Sequence, residues 1–242
     1  MSYSKRSKWM AVARLSLISI LTVVSLVISQ VASAFADDKQ ESMQLVDKSL
    51  LTLESFMSDD YMGAFRDLIK NAEGVLIAPQ VLKGAFVVGF SGGNGVLLVR
   101  DEKTGRWGQP AFYTIAEASF GFQIGVKSSE IILLAMTQRG VTSFLGNSLK
   151  LGADAGIAAG PVGVGVAAAT ANLSADILSF SRSKGLYGGI SLDGAVVMPR
   201  DALNEAYYGK WVSPLDILSR HDVTNPHSKG LVDEVEKVTA TR

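Results

Sequence analysis

The chain has 242 residues, no cysteine, and equal numbers of acidic and basic residues, so its formal net charge is zero. This length suits one domain with a sizeable hydrophobic core, and the lack of cysteine excludes disulfides and thiolate metal sites. The 24 glycines interrupt apolar runs and do not form a low-complexity tract, which is typical of short strands and tight turns.

The first 36 residues have the pattern of a secretory signal peptide. A basic segment precedes an apolar run over residues 15–31, and two small-residue cleavage sites follow it. We expect cleavage after Ala34 or Ala36, which removes four basic and no acidic residues and leaves a net charge of −4. The alternative, an uncleaved membrane anchor, is disfavoured by the serines within the apolar run. The expected product is periplasmic, is not a lipoprotein because no cysteine is present, and is too acidic to bind nucleic acid by charge.

Residues 37–71 are predicted to be helical, because apolar residues recur every three or four positions from Met43 to Ile69. Ser58-Asp59-Asp60 is expected to break this segment into two helices. The polar face of the first helix mixes acidic and basic residues, whereas helices that lie on membranes usually have a basic face. We therefore expect it to pack on the rest of the fold.

From Gly74 onward the pattern changes to that of strands. Branched apolar runs predict strands over residues 75–78, 85–90, 96–100, 120–126, 131–136, 175–183 and 186–198. Pro79 is expected to end the first of them, and Ser91–Gly95 is expected to form a hairpin turn because it contains Asn-Gly. The segment 151–171, built mainly of Gly, Ala and Val, predicts two close-packed strands flanking Gly160-Pro161.

Two short helices are predicted near the C-terminus, over residues 201–208 with Gly209 at the end, and over residues 214–220. The predicted fold is therefore α+β. N-terminal helices precede a glycine-rich, mostly antiparallel sheet that can curl into a barrel-like form, and short C-terminal helices cover it. One domain is expected over residues 37–222, followed by a polar, mobile tail over residues 223–242.

Three catalytic or cofactor patterns in the sequence are disfavoured by their context. Gly89-Phe90-Ser91-Gly92-Gly93 fits the nucleophile elbow of serine hydrolases, but a strand and not a helix is predicted after it. Residues 163–168 resemble a dinucleotide fingerprint without the required strand, helix and distant acid. His221 and His227 lack a third ligand for a metal on the same element. We therefore expect no enzyme, no cofactor and no metal.

Basic residues cluster on the predicted turns and strand ends of the sheet: Lys83, Arg100, Lys103, Arg106 and Lys127. If these ends meet, they form a cationic patch near Trp107 and Phe112, and such a patch attracts phosphate. The alternative is ordinary solvated turn charge, since Asp101 and Glu102 lie between them.

Several motifs resemble, in order and spacing, the SYLF domain, also called the Ysc84 family. The resemblance spans roughly residues 42–220 and rests on Ala72-Glu73-Gly74-Val75-Leu76-Ile77-Ala78-Pro79, on residues 92–100, 107–112, 121–125 and 160–163, on Gly185-Leu186-Tyr187-Gly188-Gly189-Ile190-Ser191-Leu192-Asp193-Gly194, and on Asn204, Tyr207, Tyr208 and Gly209.

The resemblance implies a lipid-binding module without catalytic residues. We expect a periplasmic phospholipid-binding protein that acts at the cell envelope or a membrane surface. Lys83, Arg100 and Arg106 are expected to contact headgroup phosphates, with Trp107 at the apolar boundary. The alternative is a structural or protein-interaction module of the envelope, with an envelope protein as partner and no affinity for lipid. The oligomeric state does not follow from the sequence.

Overall fold

The structure is a computed structural model, and it describes residues 37–85, 88–120, 125–160, 174–183, 186–188 and 192–240. Its helices are α1 (residues 37–58), α2 (Gly63–Leu68), α3 (Gln138–Ser143), α4 (Asp201–Tyr208), α5 (Pro214–Leu218) and α6 (Lys229–Thr239). Short 3₁₀ turns occupy Asp60–Met62, Ile69–Asn71 and Pro226–Ser228.

The N-terminal helices pack on the sheet, as the sequence predicts. Val46, Leu53 and Phe56 of α1 are buried. The predicted break is confirmed, because the Asp59 carboxylate accepts a hydrogen bond of 2.9 Å from the backbone N–H of Tyr61 and caps the next turn.

Nine described strands form one sheet: β1 (Gly74–Ala85), β2 (Val88–Val99), β3 (Ala111–Phe120), β4 (Gly125–Ala135), β5 (Leu149–Lys150), β6 (Ile157–Ala159), β7 (Ile177–Ser183), β8 (Leu186–Gly188) and β9 (Val196–Pro199). Their order is β5-β9-β3-β2-β1-β4-β7-β6, with β8 paired to β7. Among the described strand pairs only β6 and β7 are parallel. The α+β prediction is confirmed.

The predicted hairpin turn at Ser91–Gly95 is wrong, and so is the predicted end of the first strand at Pro79. Both segments lie inside long strands, because β1 continues to Ala85 and β2 runs unbroken from Val88. The β1–β2 register shifts between Ile77 and Leu82, around Pro79. Proline has no N–H to donate to a sheet ladder and is therefore found at such bulges.

The bulge explains the glycines of β2. A Cβ at Gly93 would lie 2.2 Å from the backbone oxygen of Gln80, and one at Gly95 would lie 2.7 Å from that of Ile77. Only glycine allows the bulged backbone to approach so closely. The Asn-Gly sequence therefore reflects strand packing and not a turn.

The sheet is strongly curled. Its outermost strands, β5 and β6, are joined by residues 151–156, a link that can span at most about 24 Å. Eight flat strands would be about 34 Å across. Leu151 and Ala155 also form a β-bridge, which folds the link back on itself. The edges therefore lie close together, in agreement with the predicted barrel-like form.

Each face of the sheet has its own hydrophobic core. The core that includes Leu151 and Ala155 of the link lies inside the curl and is called the concave core. It also contains Leu76, Leu97 and Leu133 from the strands, and side chains of α3 and α5 close it, among them Val141 and Ile217. The convex core contains alternate residues of the same strands and is covered by side chains of α1, α2, α4 and α6. Strand residues therefore alternate between two buried faces.

The C-terminal helices differ from the predictions in one respect. Helix α4 ends at Gly209, which has a φ of 70°, as predicted. Residues 226–239, expected in a mobile tail, form a turn and α6, and α6 buries Leu231 and Val235 in the convex core. The four-residue spacing of these two side chains marks a helix, but charged residues between them make the segment polar on average.

Within the described part of the chain, each helix is too short or too polar to span a membrane.

Candidate functional site

The residues predicted to bind lipid fall at two distant places. Arg100, Arg106 and Trp107 lie together, beside the C-terminal end of α6. Gly74 pairs with Val99, the residue next to Arg100, and Lys83 lies nine residues along β1 from Gly74. This separation is about 30 Å along the strand. The four residues therefore do not form one site.

Arg100 and Trp107 hold α6 in place. They form an isolated β-bridge, and the Arg100 guanidinium lies over the indole, 5.3 Å from its centre. Trp107 is only 6 % exposed, and its indole N–H donates to Thr239 Oγ1 at 2.7 Å. An Arg100 N–H donates to the Thr239 carbonyl at 3.4 Å. This carbonyl is at the C-terminal end of α6, where a positive charge stabilises the helix by interacting with its dipole. In this position Trp107 is not at a surface that lipid could reach.

Arg106 remains on the surface of this cluster. Its side chain is 81 % exposed, and its Nε lies 3.8 Å from Glu236 Oε1 of α6. An exposed ion pair of this length contributes little to stability. Arg106, Trp107 and Glu236 line a shallow cleft of about 300 Å³. Of the predicted residues here, Arg106 is the most exposed, and the half-buried Arg100 lines the same cleft.

The turn that joins Arg100 to Arg106 is ordered by Asp101. Its Oδ1 accepts hydrogen bonds from the backbone N–H and hydroxyl of Thr104, at 2.7 and 2.8 Å, and His221 Nε2 lies 3.2 Å from Oδ2. Hydrogen bonds from Thr104, with a further one from His221, lower the pKa of Asp101 to about 2. The Asp101 carboxylate therefore stabilises the turn.

Lys83 belongs to a second surface, which we call the sheet tip: Leu82, Lys83, Phe90 and Lys127. Leu82 is 47 % exposed and Phe90 is 67 % exposed. Phe90 pairs with Gly84, two residues from Leu82 on the same face of β1, so the two side chains are diagonal neighbours on the convex face. Lys83 pairs with Lys127 of β4 on the concave face. The tip therefore presents apolar side chains on one face and two cations on the other.

A groove runs along α1 next to the sheet tip. Its larger part has a volume of about 800 Å³ and a smaller neighbouring part about 250 Å³, and Lys48, Pro79 and Gln80 line both. We call this surface the α1 groove. The exposed Leu51 lines the larger part and Leu82 the smaller, so the groove opens onto the sheet tip.

Arg182 closes the far end of the α1 groove. Its Nε lies 2.5 Å from Glu130 Oε2, and it also contacts Ser55 Oγ of α1. Its guanidinium lies 5.8 Å from the centre of the Phe56 ring. These contacts fix the C-terminal half of α1 against β4 and β7.

The described residues do not assemble the disfavoured hydrolase site. Ser91 lies within β2, and its hydroxyl donates to Glu117 Oε2 at 2.9 Å. The two histidines pair elsewhere, His221 with Asp101 and His227 with Asp47. Over the same residues, no group of three His, Asp or Glu side chains could hold a metal ion. The dinucleotide-like segment 163–168 lies outside the described residues.

Comparison with known proteins identifies the family. A family model named Ysc84, described as "Las17-binding protein actin regulator", matches residues 116–238, which is about half of the chain. The chain belongs to the Ysc84 (SYLF) family. The matched range runs from β3 into α6, the helix that Arg100 and Trp107 hold in place. The family description names a binding protein and no catalytic activity.

The relatives of this Ysc84 protein are longer proteins. The chain is 32 % identical over 161 residues to SH3 domain-containing YSC84-like protein 1 of Bos taurus, a match that covers 66 % of this chain and 46 % of the relative. The corresponding Xenopus laevis protein is 34 % identical over 145 residues, covering 59 % and 43 %. LAS seventeen-binding protein 3 of Saccharomyces cerevisiae is 32 % identical over 157 residues, covering 63 % and 34 %. The match thus spans less than half of each of these relatives.

Sequence reasoning missed the apolar part of the sheet tip and the α1 groove. Leu82 and Phe90 fit the apolar pattern of strands, which by itself predicts burial. Their exposure follows from the position of α1, which crosses the sheet near the bulge, so that none of the described helices covers the strand ends beyond it. Asn94 of β2 donates to Glu41 near the start of α1 at 2.7 Å, and Arg182 contacts its C-terminal half. The sequence around Leu82 and Phe90 does not predict where α1 crosses the sheet.

Proposed function

We propose that this chain is a non-catalytic protein that binds phospholipid surfaces through its sheet tip. The proposal rests chiefly on the exposure of Phe90 and Leu82 as neighbours on one face. Large apolar side chains exposed together mark interaction surfaces, and lysines on the other face of the same strand ends match the interface between acyl chains and headgroups.

The expected contribution of the two apolar side chains is substantial. Burying a Leu or Phe side chain fully is worth about 1.5–3 kcal/mol, and these two are roughly half to two-thirds exposed before binding. Their joint insertion into the interface would therefore contribute at least about 1.4 kcal/mol, or roughly a tenfold change in affinity.

The Arg100 and Trp107 side chains support the fold in this proposal, and lipid contact is assigned to Lys83 and its neighbours.

The proposed setting is the periplasm. The support is the N-terminal sequence, in which a basic segment, an apolar run and two small-residue cleavage sites follow one another. In that setting the accessible phospholipid is the envelope membrane, and the protein would act at its surface.

Vesicle flotation tests the proposal. Purified protein is mixed with vesicles of phosphatidylcholine containing phosphatidylglycerol, and the double variant L82A/F90A is compared with W211A. Trp211 is 66 % exposed and lies between α4 and α5, so its variant removes a similar apolar area elsewhere. We expect L82A/F90A to bind at least about tenfold more weakly and W211A to bind normally. Wild-type protein that fails to float with any vesicle, or equal binding by the two variants, would contradict the proposal.

A second candidate is a protein-interaction module, which the names of the relatives favour. The yeast relative is named for binding a protein, and the family description repeats that name. The α1 groove offers a surface for such a partner, because it is open and has both polar and apolar residues. A single stoichiometric partner captured from envelope extract by wild-type protein but not by an L51E variant, together with no flotation, would favour this function over lipid binding.

A further inference from the structure

A row of polar side chains crosses the concave face at the sheet tip. Glu117 of β3 pairs with Ser91 of β2, Ser91 with Lys83 of β1, and Lys83 with Lys127 of β4. The same face further along these strands holds the concave core, from Val81 and Ile131 inward. The two lysines are therefore directly opposite each other at the open end of that face.

Among the residues that the structure describes, neither lysine has a carboxylate partner. All 23 acidic residues of the sequence lie among the described residues. None of them forms an ion pair with Lys83 or Lys127 in the part of the chain that the structure describes. Glu117, the acid in the same row, accepts its hydrogen bond from Ser91. Two cations thus face each other across one strand pair, and no described side chain serves as their counter-ion.

The two facing lysines repel each other in the protein alone, and a bound anion would relieve this repulsion. Like charges directly opposite each other in a sheet repel, since their Cβ atoms are only about 5 Å apart. Two lysine side chains whose Cβ atoms are this close can bring both ammonium groups to the oxygens of one phosphate. Lys127 is exposed and Lys83 is half-buried, so solvent and ligands reach the pair from the open end.

We propose that Lys83 and Lys127 form a binding site for a phosphate group. In the context of the proposed function, on which this second step rests, the phosphate belongs to a lipid headgroup, and the pair gives the sheet tip a preference for anionic over zwitterionic membranes. The same chemistry would accept a free phosphate compound, and the experiment separates these two sources.

The test uses charge reversal at one lysine. In K127E the new carboxylate pairs with Lys83, so the variant should fold at least as stably as wild type while it loses the phosphate site. K103E is the matched control, because Lys103 is exposed in the Asp101 turn at the other end of the sheet and its reversal changes the net charge equally. K127Q, which removes one charge without adding a carboxylate, guards against a folding defect.

Binding is measured to vesicles of pure phosphatidylcholine, to vesicles containing phosphatidylglycerol, and to inorganic phosphate by NMR titration. We expect K127E to lose the preference for anionic vesicles by on the order of twentyfold, K127Q by roughly fivefold, and K103E to keep it. Phosphate shifts centred on Lys83 and Ser91 would support a site that also takes free phosphate. A preference for anionic vesicles without such shifts would support the lipid headgroup alone.

Two results separate this site from the proposed function. If wild-type protein floats with vesicles but K127E and K103E show the same anionic preference, the lysine site is refuted and membrane binding stands. If inorganic phosphate binds at Lys83 and Lys127 while no vesicle is bound, the lysine site stands and membrane binding is refuted.

Discussion

Replacing Gly93 by alanine should destabilise the fold strongly, because the added methyl group would press on the backbone of the β1 bulge. The substitution therefore tests the contact between that bulge and β2. The added Cβ would lie 2.2 Å from the Gln80 backbone oxygen and 2.9 Å from Val81 Cα. Cβ atoms in proteins essentially never approach closer than 3.0 Å, so the Gln80 oxygen must move by at least about 0.8 Å. Both obstructing atoms belong to the backbone of a central strand, which cannot rotate away as a side chain can.

The expected cost lies at the upper end of the range for overpacking, about 3 kcal/mol. For a domain of this size that loss lowers Tm by roughly 6–12 °C. Gly92→Ala is the matched control. Its nearest obstructing atom would be the Ile115 backbone oxygen at 3.7 Å, an ordinary contact, and neither glycine has a positive φ. Alanine at residue 92 should be neutral or slightly stabilising.

Thermal and urea unfolding followed by circular dichroism measure both variants under the same conditions. The expected order of stability places G93A well below wild type and G92A at or slightly above it. If G93A unfolds together with G92A, the bulge does not press on β2, and the explanation given for the glycines of that strand is refuted.

Two further predictions concern the opposite end of the sheet. Thr239→Val should lower the free energy of unfolding by about 1–3 kcal/mol, because the buried indole N–H of Trp107 loses its acceptor. Thr224→Val, at an exposed position, should have little effect, and equal urea midpoints for the two variants would contradict this prediction. The Asp101 carboxylate has a folded-state pKa of about 2, below its unfolded value, so its contribution is present above about pH 4 and is lost as the pH falls toward 2. The difference in urea midpoint between wild type and D101N should therefore shrink over that window, and a difference independent of pH would show that the Asp101 charge has no such role.

Elements with local signals were predictable from the sequence. Helix α4 begins with Asp201 and ends at Gly209, and the break after α1 follows from Asp59, so each boundary is determined by one or two adjacent residues. The bulge could not be predicted in this way. Considered separately, Pro79 predicts the end of a strand and Asn94-Gly95 predicts a turn. That they instead form a bulge and its glycine contact depends on the pairing of β1 with β2.

The candidate site shows the same limit. The place of Lys83 at a strand end predicts contact with headgroup phosphates, and the structure gives it Lys127 as its neighbour. That pairing depends on the β1–β4 register, which brings together residues 44 positions apart in the sequence. Arg100 and Trp107 were grouped correctly, because only a six-residue turn separates them. The contact that buries Trp107 comes from α6, more than 130 positions later.

The short link between β5 and β6 also bears on how readily the protein can bind. Residues 151–156 tie the two outermost strands together, and the link is itself held by hydrogen bonds, including one of 2.7 Å from the Lys150 N–H to Asp154 Oδ2. A sheet tethered at both edges cannot flatten or splay without breaking those bonds. The spacing of the strands that carry the sheet tip is therefore set before any ligand arrives. A preorganised surface of this kind loses little conformational entropy on association, so most of the free energy of its contacts remains as affinity.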